Sequence, residues 1–313
     1  MECFGKTAGG GGLSRALQML SFFDTRVRVS CETFKGLSFR RKYFQEERMS
    51  YKVEYHIISG RVVETRQCRL AGRPGEKTRS RRAPRRAGSS SEKKIKRNES
   101  EAVKRLARTI NCNFGRGDIH VVRKYSADTL PASREEAEKD FEKLIRKVRD
   151  IYRKETGKSL KYIWTVSDRD PKTGKKVRLH VHAVMNKVAY EILLGMIDEK
   201  DELEYSYLDN RGDHTALAVY MIGNGKSDEA NRKKWRSSRG LDKPIFTDPE
   251  VIEEIHEIRA PAGAEIRENV LTLDEETGEA SAYLRYVLPE KPKVKGSRVL
   301  LPKPPKRGGK KRE

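Results

Sequence analysis

Regular alternation of apolar and polar positions begins just after Met49. Tyr51, Val53, Tyr55 and Ile57 alternate with polar residues, Ser59-Gly60 offers a turn, and Val62-Val63 resumes the pattern. This predicts a β-hairpin over 49–72. Asp118–Tyr125 (Asp-Ile-His-Val-Val-Arg-Lys-Tyr) reads as a strand. From Ser133 to Gly157 the period lengthens: Phe141, Leu144, Ile145, Val148 and Ile151 fall on one helical stripe. Ser133 followed by Glu136 is a capping box that starts this helix. Tyr162–Val166 and Val177–Met185 flank the turn sequence Asp170-Pro171-Lys172-Thr173-Gly174 and read as a second hairpin. A helix near Ala189–Asp198, a short strand near Leu203–Leu208, a turn at Asn210–Asp213 and a helix over Thr215–Ile222 follow. The order predicts an α+β fold, a central antiparallel β-sheet flanked by helices, over a domain at 106–245 with 246–288 as its C-terminal extension. No repeat of 20–50 residues interrupts it.

Charge divides the chain differently. Lys+Arg number 68 against 46 Asp+Glu, a net +22, and apolar residues are 35% of the total. Residues 73–105 hold 13 Lys/Arg and 4 Asp/Glu among Gly, Pro and Ser, and 289–313 hold 10 against 2. These read as a flexible basic linker and a basic Pro/Lys-rich tail around a milder body, suited to neutralising phosphates without reading sequence. Residues 1–48 carry the run Gly9–Gly12 and no periodic element. Gln45-Glu46-Glu47-Arg48 can be encoded by a purine-rich ribosome-binding sequence, so the product is expected to start at Met49, with 1–48 an upstream extension. Gly5-Lys6-Thr7 lacks the preceding glycine of a phosphate loop. No apolar run approaches the roughly 20 residues of a membrane span. Cys3, Cys31, Cys68 and Cys112 are too scattered for a disulfide framework or a cysteine zinc site, which fits a reducing cytoplasm.

The chemistry concentrates in Leu179-His180-Val181-His182-Ala183-Val184-Met185. On a strand, residues two apart point to one face, so both imidazoles project side by side. Two such rings are good metal ligands and poor core packing. Ser167-Asp168 ends the partner strand, where a carboxylate could complete a two-His, one-carboxylate triad; Asp168 can equally be a turn residue ahead of Pro171. Tyr220 lies in the apolar helix Ala216-Leu217-Ala218-Val219-Tyr220-Met221-Ile222, as a nucleophile or as a core residue. A phosphodiester is the substrate that a metal, a tyrosine and a basic chain would share.

These residues give the chain a family resemblance. Over Asn111–Pro244 it resembles the His-hydrophobe-His (HUH) endonucleases, in particular single-tyrosine rolling-circle replication initiators of phages and plasmids. The strand Asp118–Tyr125 ahead of Pro131 stands at the first motif, His180-Val181-His182 matches the second, Ala218-Val219-Tyr220 the third. Ser238-Arg239-Gly240-Leu241 with Lys243-Pro244 resembles a downstream signature. The family often has Glu where Ser167 stands, and many members have Lys where Gly223 stands.

The resemblance implies an HUH fold, related to the RRM arrangement, and a metal-dependent endonuclease and strand transferase. Mg²⁺ or Mn²⁺ would be held by His180, His182 and Asp168, with Lys226 as an assistant. Tyr220 would form a 5′-phosphotyrosine and a free 3′-hydroxyl. A free tyrosine, with a pKa of about 10, needs such assistance to act as a nucleophile. The implied partner is single-stranded or hairpin DNA at a replication origin in a bacterial cytoplasm. A host helicase and polymerase and a transient homodimer would complete the system, without a membrane. DNA contacts are expected from Arg81, Arg82, Arg85 and Arg86 in the linker and from Arg232, Lys233, Lys234, Trp235, Arg236 and Arg239 after the tyrosine helix. Tyr125, Tyr162 and Trp164 are expected to stack bases or pack, and Tyr205 and Tyr207 to pack on the sheet. A transposase or relaxase would share these features, and a non-catalytic nucleic-acid-binding protein would share the charge.

Overall fold

The computed structural model describes residues 50–71, 92–170, 173–225, 233–274, 278–295 and 298–302. The extension 1–48 and the proposed start at Met49 lie outside these residues. The chain is α+β. Its strands are β1 (Ser50–Ser59), β2 (Val62–Ala71), β3 (Asp118–Lys124), β4 (Ile163–Arg169), β5 (Lys176–Asn186), β6 (Glu202–Tyr207) and β7 (Arg236–Ser237). They continue with β8 (Ile245–Phe246), β9 (Glu250–Val251), β10 (Glu265–Leu273), β11 (Ala280–Val287), β12 (Lys293–Lys295) and β13 (Arg298–Leu300). The helices among the described residues are α1 (Glu92–Asn113), α2 (Arg134–Thr156), α3 (Lys187–Leu194) and α4 (Thr215–Asn224). None is long and apolar enough to cross a membrane.

A five-stranded antiparallel sheet of order β6-β3-β5-β4-β7 lies at the centre. One face packs on α2 through Ile119, Val121, Trp164, Val166, Val181 and Ala183 against Ala137, Phe141, Ile145 and Val148. The other face packs on α1 and α4, with Ile163 and Val184 against Leu106, Ile110, Ala218 and Met221. Helix α2 starts as its sequence requires: the Ser133 hydroxyl accepts from the Glu136 N–H, while the Glu136 carboxylate accepts from the Ala132 N–H at 3.0 Å. It ends at Gly157, whose φ of 68° closes the last turn at no Cβ cost. Its buried stripe continues to Tyr152, with Ile151 at the edge.

Two features depart from the sequence reading. Residues 92–105, assigned above to the basic linker, are the first turns of α1. Their Lys- and Glu-rich sequence hid the helix, whose buried stripe begins only at Leu106. The N-terminal hairpin is also not isolated. It joins the C-terminal strands in a second, six-stranded sheet of order β10-β11-β2-β1-β8, with β9 pairing on β1. Gln67 pairs with Ala282 and Val62 with Val287.

The two sheets share α1. Arg108 makes two 2.6 Å hydrogen bonds to the Glu64 carboxylate of β2, with both side chains buried and Tyr283 donating to the same carboxylate at 3.0 Å. The hairpin turn abuts the same helix. Gly60 has φ 63°, and a Cβ there would lie 2.3 Å from the Asn111 carbonyl oxygen. Only glycine satisfies both demands.

Candidate active site

The α1/α4 face of the central sheet is lined with histidine. His180 and His182 occupy β5, side by side at 4.7 Å between ring centroids. The antiparallel register of β3 sets Val122 opposite His182 and His120 opposite Val184, which brings His120 to the same face. Its ring stacks on His182 at 5.4 Å, nearly parallel. Tyr220 descends from α4, with its ring edge-on to His182 at 5.0 Å and to His120 at 5.9 Å. Sequence reasoning had passed over His120. The available signal was parity: Ile119 and Val121 face one core, so His120 and Val122 must face the other.

The protonation of these rings follows from their surroundings. His182 is fully buried and neither ring nitrogen makes a well-formed hydrogen bond, although the Asn224 side chain lies near enough to favour its charged form slightly. Burial, helped by the neighbouring imidazoles His180 and His120, pushes its pKa down to about 2. Burial alone lowers that of His120 to about 4, and its Nε2 is also without a partner. His180 is half-buried, and its Nδ1 lies 2.8 Å from the Arg178 carbonyl oxygen. That carbonyl can only accept, so Nδ1 donates and a neutral ring keeps its lone pair on Nε2. His120 and His182 are thus neutral imidazoles with unspent nitrogens, the protonation state a metal requires. Orphaned buried nitrogens are costly unless something uses them. Among the described residues no three His, Cys, Asp or Glu side chains already have their donor atoms gathered for a metal ion. The stacked pair would have to turn its ring nitrogens toward a common point.

Asp168 is engaged by another side chain. The register sets Ser167 opposite His180 and Thr165 opposite His182, and Asp168 falls in a bulge between Ser167 and Arg169. Its Oδ1 accepts from Arg134 Nη1 at 2.9 Å. The third candidate ligand on the face is His120, in place of the carboxylate.

Helix α4 is fixed at both ends. At its start, Asp213 Oδ1 accepts from the Thr215 N–H at 3.1 Å, and Asn111 Oδ1 accepts from the His214 N–H at 2.9 Å. Arg285 of β11 donates to the Thr215 hydroxyl at 2.5 Å. At its end, the Asn224 side chain bonds the Ser167 hydroxyl at 3.0 Å and the Tyr220 carbonyl oxygen at 2.9 Å. Arg134 Nη2 donates to the Gly225 carbonyl at 3.2 Å, so one buried guanidinium ties the β4 bulge to the helix end. Tyr220 itself is 43% exposed.

The anticipated DNA contacts fare unequally. Arg81, Arg82, Arg85, Arg86, Lys226 and Arg232 lie outside the described residues. Lys233 and Arg239 are exposed. Lys234 lies 3.7 Å from Glu99, and its carbonyl accepts from Thr165 at 2.8 Å. Trp235 is partly buried and packs against the Leu106–Met221 core. Arg236 is paired with Glu138 at 2.6 Å and Glu142 at 3.3 Å and lies over the Trp164 ring, with its side chain still 41% exposed. Tyr125 and Trp164 are buried core residues. Tyr205 and Tyr207, expected to pack on the sheet, are 42% and 54% exposed beside Tyr190 and Lys187. Ser238 serves the fold, since its N–H and hydroxyl bond the Tyr162 backbone.

No family model, no curated protein and no solved structure matches the chain.

Proposed function

We propose that the chain is a tyrosine-dependent DNA nicking and joining enzyme of the HUH kind, acting on single-stranded or hairpin DNA to initiate rolling-circle replication of a mobile element. The observation that carries this reading is the meeting of Tyr220 with His120, His180 and His182 on one sheet face. A central strand bearing the histidine pair and a tyrosine helix packed over it agree with the HUH arrangement that the sequence resembles.

His120, His180 and His182 would hold a divalent ion, through nitrogens that are otherwise without a partner on two of the three rings. When bound, such an ion supplies a Lewis acid for a phosphate oxygen and a fixed point for the substrate. With Asp168 engaged by Arg134, the ligand set is all imidazole. That favours Mn²⁺ over Mg²⁺, which prefers oxygen donors. The protein groups then divide the work. Tyr220 Oη attacks the phosphorus and loses its proton to solvent or base. The bond from phosphorus to the 3′ oxygen breaks, and that oxygen leaves as a 3′-hydroxyl after taking up a proton. The 5′-phosphate stays on the tyrosine, and the reverse attack by a 3′-hydroxyl rejoins the strand without ATP. A helix seated at both ends keeps the hydroxyl where attack requires it.

The test is covalent adduct formation on labelled single-stranded DNA from the gene's own replicon, with Mn²⁺, under denaturing conditions. Wild type should give a shifted band that Tyr220→Phe abolishes. A band that survives in Tyr220→Phe moves the nucleophile elsewhere. No band on any such DNA, with binding retained, makes the protein a non-catalytic nucleic-acid binder.

A further inference from the structure

The second sheet carries a groove that the nicking reading does not use. It measures about 870 Å³ and lies between β1, the 247–261 segment and the last described residues, Val299–Pro302. Glu54, Asp248, Glu250, Glu254 and Glu257 line it against a single Arg259. Among the described residues none of these five carboxylates is ion-paired with a lysine or arginine. Glu54 meets only Gln67 and His56, and Glu257 only Asn269. An uncompensated acidic groove is unexpected on a chain of net charge +22.

The chain supplies the complement. Leu301 and Pro302 form part of the groove wall, and the sequence continues from there as Lys303-Pro-Pro-Lys-Arg-Gly-Gly-Lys-Lys-Arg-Glu313, with six basic residues and one acidic. Eleven residues reach at most ~35 Å, enough to run the groove from its own rim. Tethering at Pro302 gives the tail an effective concentration in the millimolar range, so contacts too weak for a free peptide suffice. We propose that the acidic groove holds the chain's own 303–313 tail and thereby keeps those cations from DNA until polyanion displaces them. This rests on the nucleic-acid partner of the reading above, but not on strand cleavage.

The test uses the full chain. Zero-length carbodiimide crosslinking at low salt, on an equal mixture of light and ¹⁵N-labelled protein, should join Lys303, Lys306, Lys310 or Lys311 to Glu250, Glu254 or Glu257 within one chain. The links should vanish at ~1 M salt, where the Debye length is ~3 Å. Links scattered over other carboxylates, links between light and heavy chains, or no links from the tail would each overturn the proposal. As a second measurement, Glu250→Gln/Glu254→Gln/Glu257→Gln should tighten binding of a single-stranded oligonucleotide roughly threefold or more. The gain must exceed that of the charge-matched control Asp150→Asn/Glu155→Gln/Glu199→Gln, whose sites are exposed and outside the groove wall. Equal gains in the two triples would mean that net charge alone is responsible and the tail has no dock.

Discussion

Gly225 offers a direct way to ask whether the seat of α4 matters. It follows the last residue of the tyrosine helix, and its φ of −77° is available to any residue, so Gly225→Ala incurs no backbone penalty. Space is the obstacle. A Cβ would lie 2.2 Å from the Lys234 carbonyl oxygen and 2.9 Å from Thr165 Oγ1. Relief to ordinary contact requires a movement of about 1 Å. The Lys234 carbonyl is held by Thr165 at 2.8 Å, and the Gly225 carbonyl by Arg134. Either the strap or the end of the helix must therefore give way. Overpacking of this kind costs about 1–3 kcal/mol, and a melting temperature lower by roughly 2–4 °C per kcal/mol. A displacement of about 1 Å at the nucleophile can slow attack roughly 100-fold. Three readouts separate the effects: thermal melting, the rate of adduct formation in single turnover, and Mn²⁺ affinity by calorimetry. The histidines sit on strands, so metal affinity should hold while the adduct rate falls. An alanine variant that melts and reacts like wild type would refute the steric argument. One that loses Mn²⁺ in proportion to rate would refute the division between helix and sheet.

The remaining predictions concern the ligands, the joint between the sheets and pH. His120→Ala should weaken Mn²⁺ binding roughly tenfold or more, the least that even outer partners of a metal site cost, whereas Asp168→Asn should leave it nearly unchanged; the reverse order in calorimetry would restore the carboxylate to the ligand set. Arg108→Met takes the two-point partner from the buried Glu64, leaving Arg66 at 3.7 Å and the Tyr283 hydroxyl, and should cost up to about 3–5 kcal/mol, and adding Glu64→Leu should recover most of it, as read by chemical denaturation. A double variant no better than the single would mean that the pair contributes more than mutual neutralisation. Burial lowers the pKa of His214 below its ordinary 6.5, so the folded state keeps it neutral while the unfolded chain protonates it. Its contribution is intact above pH 6.5 and is lost as pH falls from there toward the folded pKa, by up to about 1.4 kcal/mol per pH unit. In metal-free buffer, the stability gap between wild type and His214→Gln should therefore change with pH below 6.5 and stay level above it; a gap constant from pH 5 to 8 would contradict this.

What the sequence disclosed followed from local patterns. The capping box at Ser133, the stripe through Phe141 and Val148, and the turn at Asp170–Gly174 each report on neighbours a few residues away, and the elements formed where they indicated. Helix α1 was half hidden because Glu92–Glu101 carries charge on every side and Ile95 is 48% exposed, so no apolar stripe marks it. The second sheet was invisible for another reason. Strand β10 is exposed on both faces, so Glu265–Leu273 shows no period of two, and its sheet joins segments about 200 residues apart. At the candidate site, the pair His180 and His182 was legible because both lie on one strand. His120 was not, because only the register of β3 on β5 sets it beside them. Asp168 lies in a bulge of β4, an irregularity that the sequence does not announce, and its partner there is Arg134.

The way the second sheet closes governs the order in which the chain can mature. All five central strands have been synthesised once Ser237 is made, but β2 gains its outer neighbour only when Ala280–Val287 emerges. At ~5–20 residues per second, that is a wait of several seconds with a strand edge unpaired. Such an edge is an invitation to pair with other nascent chains. Arg285, which anchors the start of α4, arrives with that strand. A chain still on the ribosome therefore assembles its histidine face first, and the helix carrying Tyr220 receives its final anchor among the last contacts to form.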